Sequence, residues 1–300
     1  MARNWSGVFK IAGESRLIPF ADHCQSAASG YDRGMLPGIL HSLTALICLL
    51  PALLLRFRPQ QSRDWPFWGA LAVAFAGPGV LAFALLWGHW VTGLAPALWV
   101  SLAVTVAAFA LVSAVMANAW RLLPLLSPYL LLVGLIATVW QQAMGHTLAE
   151  SEPGAWLGLH IFVGVATYAL LTLAAVASLA AFLRERALKR KTQTALTAQL
   201  PSVTDAERLA TSLLIVGEVV LGFGLGTGMA VEWFDSGMLI VWDHKNLLSI
   251  LAFVLIGLLL YAIRHCGVRG RLAARIILVA WLLLTLAYPG VKFVTGVLIG

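Results

Sequence analysis

Residues 276–287 read IILVAWLLLTLA, twelve consecutive positions with no charge and a single hydroxyl. A strand of a membrane barrel alternates apolar and polar residues, and this run does not alternate; it is the kind of segment whose backbone is satisfied within itself while its whole circumference meets hydrocarbon. The same texture recurs along the chain. Nearly uncharged spans run roughly over 36–55, 66–87, 97–117, 122–143, 156–183, 209–231, 246–263 and 276–299, each near the ~20 residues that a ~30 Å hydrocarbon core requires. With 60% hydrophobic residues, 11% charged residues and a mean hydropathy of +0.88, the chain is far too apolar for a soluble fold. The expected fold is all-α, a polytopic membrane helix bundle of about eight transmembrane helices.

Lysine and arginine set the expected orientation. If the chain starts outside, the inner loops hold Arg56, Arg58 and Arg63, then Arg121, then Arg184, Arg186, Lys189, Arg190, Lys191 and Arg208, then Arg264, Arg269, Arg271 and Arg275. That is fourteen of the twenty basic residues. Outer segments keep Lys245, Lys292 and four in the N-terminal tail, so both termini are expected outside. The net charge of +7 is then a consequence of topology, and no nucleic-acid partner is expected.

Residues 1–34 carry scattered charges (Arg3, Lys10, Arg16) and no apolar stretch of the signal-peptide kind. Met35 abuts the first span. Either the tail is translocated or translation begins near Met35, so the expected division is a tail over 1–34 and a single transmembrane bundle over 35–299. Cys24, Cys48 and Cys266 are isolated, with no C-x-x-C pair for redox exchange and no C-x-x-C-H for covalent haem attachment. The longest polar segment, RERALKRKTQTALTAQLPSVTDAER over 184–208, has no glycine pattern for binding phosphates. No catalytic residues and no enzyme activity are expected.

Four of the seven histidines, His89, His146, His160 and His244, fall at ends of spans or in links on the outer side by this topology. Imidazoles gathered at one face of a lipid-embedded bundle point to a metal or haem site. His89 sits between Trp87 and Trp90 in LLWGHWVTGLAP (85–96), where it reads as a ligand or as an interfacial polar residue. His146 lies in QQAMGHTLAESEPGAWLGLH (141–160) with Glu150 and Glu152, and reads as a solvated loop residue or a weaker ligand. His160 opens the fifth span, with Gly164 and Tyr168 on the same helix face by their spacing of four. An ionisable residue in a spanning helix is a functional candidate, with a core hydrogen bond as the plainer alternative. Gly222, Gly224, Gly226 and Gly228 alternate in the sixth span and allow close approach of a flat ligand or of another helix, with Trp233 and Trp242 as possible cover. Asp243, His244 and Lys245 follow, offering an acid, a ligand and a cation. Glu218, a lone carboxylate in LLIVGEVVLGFG (213–224), supports an alternative: a transporter or transporter-regulating subunit coupling protons or metal ions through Glu218 and the histidines.

Four segments, LHIFVGVATYALL (159–171), GLGTGMAVEWF with VWDHKNLLSILAF (224–253), LLYAIRHCGVRGRLAARI (259–276) and LTLAYPGVKF (284–293), resemble in order and spacing the cytochrome c assembly (CcsA/CcmC/HemX-like) membrane protein superfamily, most of all its small YpjD-like branch. The resemblance covers roughly 80–299 and is strongest from 156 onward. It implies an inner (plasma) membrane protein that holds or delivers non-covalent haem b at its outer face. It also implies possible partners among cytochrome c maturation or other membrane proteins. By that pattern His160 matches an outer-face haem ligand, Trp242, Asp243 and Lys245 match the end of a tryptophan-rich motif, and His265 matches an inner-end histidine. The tryptophan-rich segment is thin here, and His244 stands where the family commonly has proline. The second axial ligand is then expected from His89, His244 or His146.

The topology is testable with a reporter that is active only outside the membrane. Fused after Glu150 or Asp235 it should be active, and fused after Lys191 it should be silent; activity at Lys191 would invert the arrangement and move the histidine cluster to the other side.

Overall fold

The computed structural model of the chain describes residues 39–58, 63–86, 91–142, 146–147, 155–237 and 244–290. All of these belong to one compact unit, Ile39–Gly300. The expected tail over 1–34 lies outside the described residues.

Helix α1 (Ile39–Phe57) closes in a 3-10 turn at Leu55–Phe57. It is followed by α2 (Trp65–Leu86), α3 (Leu94–Val115), α4 (Leu123–Val139), α5 (Ala155–Lys189), α6 (Ala195–Gln199), α7 (Val203–Ser236), α8 (His244–His265) and α9 (Arg271–Thr285). Apart from the five-residue α6, these helices account for eight segments long and apolar enough to cross a membrane, as the hydropathy runs predict. Among the described residues the only extended pairing is a two-residue antiparallel bridge between β1 (Val91–Thr92) and β2 (His146–Thr147). The protein is an all-helical, multi-pass membrane bundle.

Large apolar side chains face outward all along the helices, Val80 at 69% and Val219 at 69% exposure among them. In water so extensive an apolar surface would drive aggregation; in hydrocarbon it is the ordinary exterior. The interior instead favours small residues, because lipid supplies no hydrophobic force to push helices together and close van der Waals packing must hold them. In α5 the fully buried Ala174, Ala177 and Ala180, with buried Ala181, form such a ridge. The helix packs against α3, α4, α7 and α9, most extensively against α7.

The α5–α7 pair is antiparallel, and three glycines of α7 mark its seam. A Cβ on Gly217 would lie 3.0 Å from Leu171 Cδ1, one on Gly224 3.2 Å from Val163 Cγ1, and one on Gly228 3.0 Å from His160 Cε1. The contacts climb α7 as they descend α5, in step, so these positions fix the register of the pair. Gly222 faces a different neighbour, with Phe253 Cε2 of α8 at 3.1 Å from its would-be Cβ. The glycine run thus divides between two helix contacts.

Polar contacts collect at one end of the bundle. Arg63 Nη1 donates to the carbonyls of Ser113 (2.6 Å) and Ala114 (3.1 Å) at the end of α3, where a cation complements the helix dipole. Asn118 Nδ2 donates to Asp205 Oδ2 at 3.0 Å. Ser202 caps α7 by accepting the Asp205 N–H. Arg184 donates to the Thr197 carbonyl, and the Gly270 N–H reaches Glu207 Oε1 at 3.0 Å. These bonds tie together the α1–α2, α3–α4, α5–α7 and α8–α9 links, which are the links that carry the arginines.

Three spans run past their hydropathy bounds for one reason, and the fifth, expected to end at 183, continues to Lys189. The last was expected over 276–299, but its helix starts five residues earlier, at Arg271, and gives way to a wider π-type turn at Leu286–Gly290. The sixth was expected from 209 and starts at Val203. Hydropathy windows reject Arg271, Arg275 and Arg208, whereas a helix admits them because their long stems lie along apolar surface with the charge at the interface.

The α1–α2 contact gives a stability test. A Cβ on Gly77 would lie 2.6 Å from Cys48 Cβ and 3.0 Å from Ala45 Cα, so Gly77 lets the two helices touch backbone to backbone. Gly77→Val should destabilise the detergent-solubilised protein by about 1–3 kcal/mol through overpacking, read as a lowered Tm, while the exposed Val80→Ala should change it far less.

Candidate functional site

A cavity of about 490 Å³ opens at the end of the bundle opposite the arginine-rich links. Its walls come from His160, Gly164 and Tyr168 of α5, Gly224, Gly228, Met229 and Glu232 of α7, Asn246 and Ser249 of α8, and Leu284 and Tyr288 near the end of the chain's last described helix. The size is in the range of small-molecule and cofactor sites, and the lining is mostly apolar with a few polar groups, as such sites usually are.

His160 is the imidazole in this lining, and its orientation is fixed by α7. Its Nδ1 lies 3.2 Å from the Gly224 carbonyl and 3.2 Å from Thr227 Oγ1. The Thr227 hydroxyl donates its own proton to the same Gly224 carbonyl at 3.0 Å. A carbonyl can only accept, and a hydroxyl whose proton is committed can also accept. Nδ1 therefore carries the ring proton, and the ring lone pair is on Nε2. This is the arrangement of a metal-binding histidine, in which a hydrogen bond from one ring nitrogen fixes the tautomer and raises the basicity of the other. Gly228 supplies the room, since its absent side chain would strike the imidazole edge. The structure shows the core hydrogen bond, at Nδ1.

The expectation that Gly164 and Tyr168 share the His160 face is met: all three line the cavity. Gly164 leaves open space beside it, with nothing within 4 Å of a would-be Cβ. Tyr168 shares a hydrogen bond with Tyr129 of α4 at 3.2 Å, and Trp281 of α9 donates to Thr172 of α5 at 3.0 Å. These bonds hold the helices beneath the cavity. Trp233 does not line the cavity and is 52% exposed.

The remaining candidates are placed unequally. His89, Trp242 and Asp243 lie outside the described residues. His146 is described in its backbone, where it pairs with Thr92; that bridge brings the α2–α3 link, three residues after His89, against the α4–α5 link. His244 and Lys245 begin α8, directly before the cavity residue Asn246. His265 ends α8 at the arginine-rich end, exposed and with its ring 4.6 Å from the Tyr261 ring, so it is not brought to the cavity. Among the described residues no group of three or more His, Cys, Asp or Glu side chains could hold a metal ion. Glu218 lies midway along α7, with Oε2 buried and without a hydrogen-bond partner among the described residues and Oε1 3.1 Å from a would-be Cβ on Gly257.

Sequence reasoning missed Thr227, Met229, Asn246 and Tyr288. Thr227 was within reach, because a threonine three residues after a glycine that seats a histidine can bond back to that glycine's carbonyl. Tyr288 was not, since its position depends on where α9 stops.

The fold and this site define a multi-pass membrane bundle with, among the described residues, an oriented imidazole in a mostly apolar cavity. The family model described as "Cytochrome C assembly protein" matches residues 78–299. The chain belongs to the cytochrome c assembly protein family. It is also similar to the "Uncharacterized 28.8 kDa protein in nifR3-like 5'region" of Azospirillum brasilense, at 54% identity over 271 residues, covering 89% of this chain and 100% of that protein. No solved structure matches significantly.

The glycines of α7 separate by their surroundings. Gly226 has nothing within 4 Å of a would-be Cβ, whereas Gly228 meets the His160 ring. Gly226→Ala should leave the Tm unchanged or raise it slightly, because alanine is favoured over glycine in a helix by roughly 0.5–1 kcal/mol. Gly228→Val should lower the Tm and displace His160.

Proposed function

We propose that this protein is a haem-handling membrane protein of cytochrome c assembly that holds haem b non-covalently in the His160 cavity, with His160 Nε2 as one axial ligand. The observation that carries the reading is the hydrogen bond from His160 Nδ1 to the Gly224 carbonyl inside a mostly apolar cavity, in a chain of this family.

The residues present fit the group. The donor is an imidazole whose far nitrogen is held by a backbone carbonyl, the cavity wall leaves open space at Gly164, and the sequence has no C-x-x-C-H motif for thioether attachment. When bound, haem supplies an iron that accepts imidazole lone pairs and can change oxidation state. His160, in the cavity lining, would offer its Nε2 lone pair to the iron, Thr227 and Gly224 keep its tautomer, and Leu284 and Met229 would keep water from it. Lys245, at the start of α8, would supply a cation for the propionates. His89, His244 or His146 would supply the second imidazole. The activity is coordination and hand-over of haem, with no catalytic residue. The arginine-rich end faces the cytoplasm, both termini face outward, and the membrane is the inner one.

Spectra test this reading. The detergent-purified protein should show a Soret band. His160→Ala should lose or markedly shift it, at least one of His89→Ala and His244→Ala should do the same, and His146→Ala should do least. An unchanged spectrum in a folded His160→Ala protein would place the ligand elsewhere.

The buried, unpartnered Oε2 of Glu218 favours one second reading, ion coupling by a transporter or transporter-regulating subunit. Under the haem reading, Glu218→Gln should leave haem content and cellular cytochrome c yield unchanged. Loss of cellular function at constant haem content would favour ion coupling.

A further inference from the structure

A second cavity, of about 390 Å³, lies at the arginine-rich end and is lined by Phe182, Glu185, Arg186, Lys189, Arg190 and Arg271. Four cations face one carboxylate there, and that carboxylate is already ion-paired with Lys189. The lining therefore holds three positive charges in excess. Arg271 lies over the Phe182 ring with its guanidinium carbon 5.8 Å from the centroid, so the cavity has an aromatic floor and a charged rim. Phe182 and Glu185 also line an adjoining cavity that adds Glu207, Arg208 and Arg269.

The depth of this cleft is set by its two helices. On α5, Leu179, Phe182 and Arg186 follow one another at spacings of three and four, which places an exposed leucine below the aromatic floor and the cation above it. On α9, Arg271, Arg275 and Leu278 repeat that order, all three exposed. Charges give way to hydrocarbon-facing leucine within about two turns on both walls. A soluble anion has no use for that apolar continuation, whereas a phospholipid has a phosphate for the rim and acyl chains for the leucines.

We propose that this cleft between α5 and α9 binds the headgroup of an anionic phospholipid, with the three excess charges suited to a diphosphatidylglycerol over a singly charged lipid. Arg186 and Arg271 hold the phosphates from opposite walls, Lys189 and Arg190 close the rim, and the acyl chains run along Leu179 and Leu278. The site is at the far end of the bundle from His160, so it stands or falls independently of haem.

Native mass spectrometry of the full chain in detergent tests it. At equal concentrations, diphosphatidylglycerol should be retained as a discrete adduct and phosphatidylcholine should not, and the adduct should weaken as salt is raised. Each cation removed should cost about fivefold in affinity, so Arg186→Gln/Arg271→Gln should weaken the adduct by more than tenfold, while Arg271→Lys should keep most of it. Both arginines are exposed, and an unchanged Tm of the variant reports that the bundle is intact; if the variant fails to fold, the lipid comparison and the salt series on the unaltered protein decide. Equal retention of phosphatidylcholine, an adduct unmoved by the double substitution, or displacement by inorganic phosphate at the lipid's own concentration would each overturn the proposal.

Discussion

The contact between α5 and α7 is the constraint on which the rest of this structure depends. Two long helices in hydrocarbon gain nothing from hiding apolar surface, because the lipid is as apolar as they are. They hold together only where their backbones come close enough for dense van der Waals contact, and Gly217, Gly224 and Gly228 provide that closeness at three levels of one seam. The last of these levels is the imidazole of His160. The spacing that fixes the register of the two helices is therefore also the spacing that seats the ring, and the same backbone that makes the contact offers Gly224's carbonyl to Nδ1. The orientation of this imidazole is set by a packing geometry, with Thr227 as the one added polar group.

Around that axis the two ends of the bundle differ in chemistry. One end is stitched by charged and amide side chains onto helix-terminal carbonyls and loop backbone, which fixes the links between spans and concentrates arginine. The other end is joined by a two-residue backbone bridge and by the walls of the His160 cavity. The contrast suits a protein that is anchored at one membrane surface and exchanges a hydrophobic ligand at the other. α5 illustrates the division: at 35 residues it is about 50 Å long, well beyond a ~30 Å core, so it carries a histidine at one interface and a cationic extension past the other.

Much of this was legible in the sequence because membrane helices write their presence in composition. The run over 276–287 could be nothing but a spanning helix, and the i, i+4, i+8 pattern of His160, Gly164 and Tyr168 put three residues on one face before any coordinates existed. What the sequence hid was tertiary. The alternate glycines from Gly222 to Gly228 gave no sign that they serve two different helices, since a glycine is silent about which neighbour approaches it. Nor could hydropathy place the start of α9, where Arg271 and Arg275 belong to the helix despite their charge. Tyr288 reached the cavity through that same helix end. The histidine cluster was read from topology alone; of its four members the structure places His160 in the cavity, while the side chains of His89, His146 and His244 lie outside what is described.

The most direct measurement is a density map of the protein purified from haem-replete cells and reconstituted in a lipid nanodisc. The account predicts a macrocycle in the His160 cavity, walled by α5, α7, α8 and the end of the last helix and lying beside Gly164, with its iron bonded to His160 Nε2. Haem density at the arginine-rich end beside His265, or a His160 cavity filled by a lipid chain or left empty in such a sample, would contradict it.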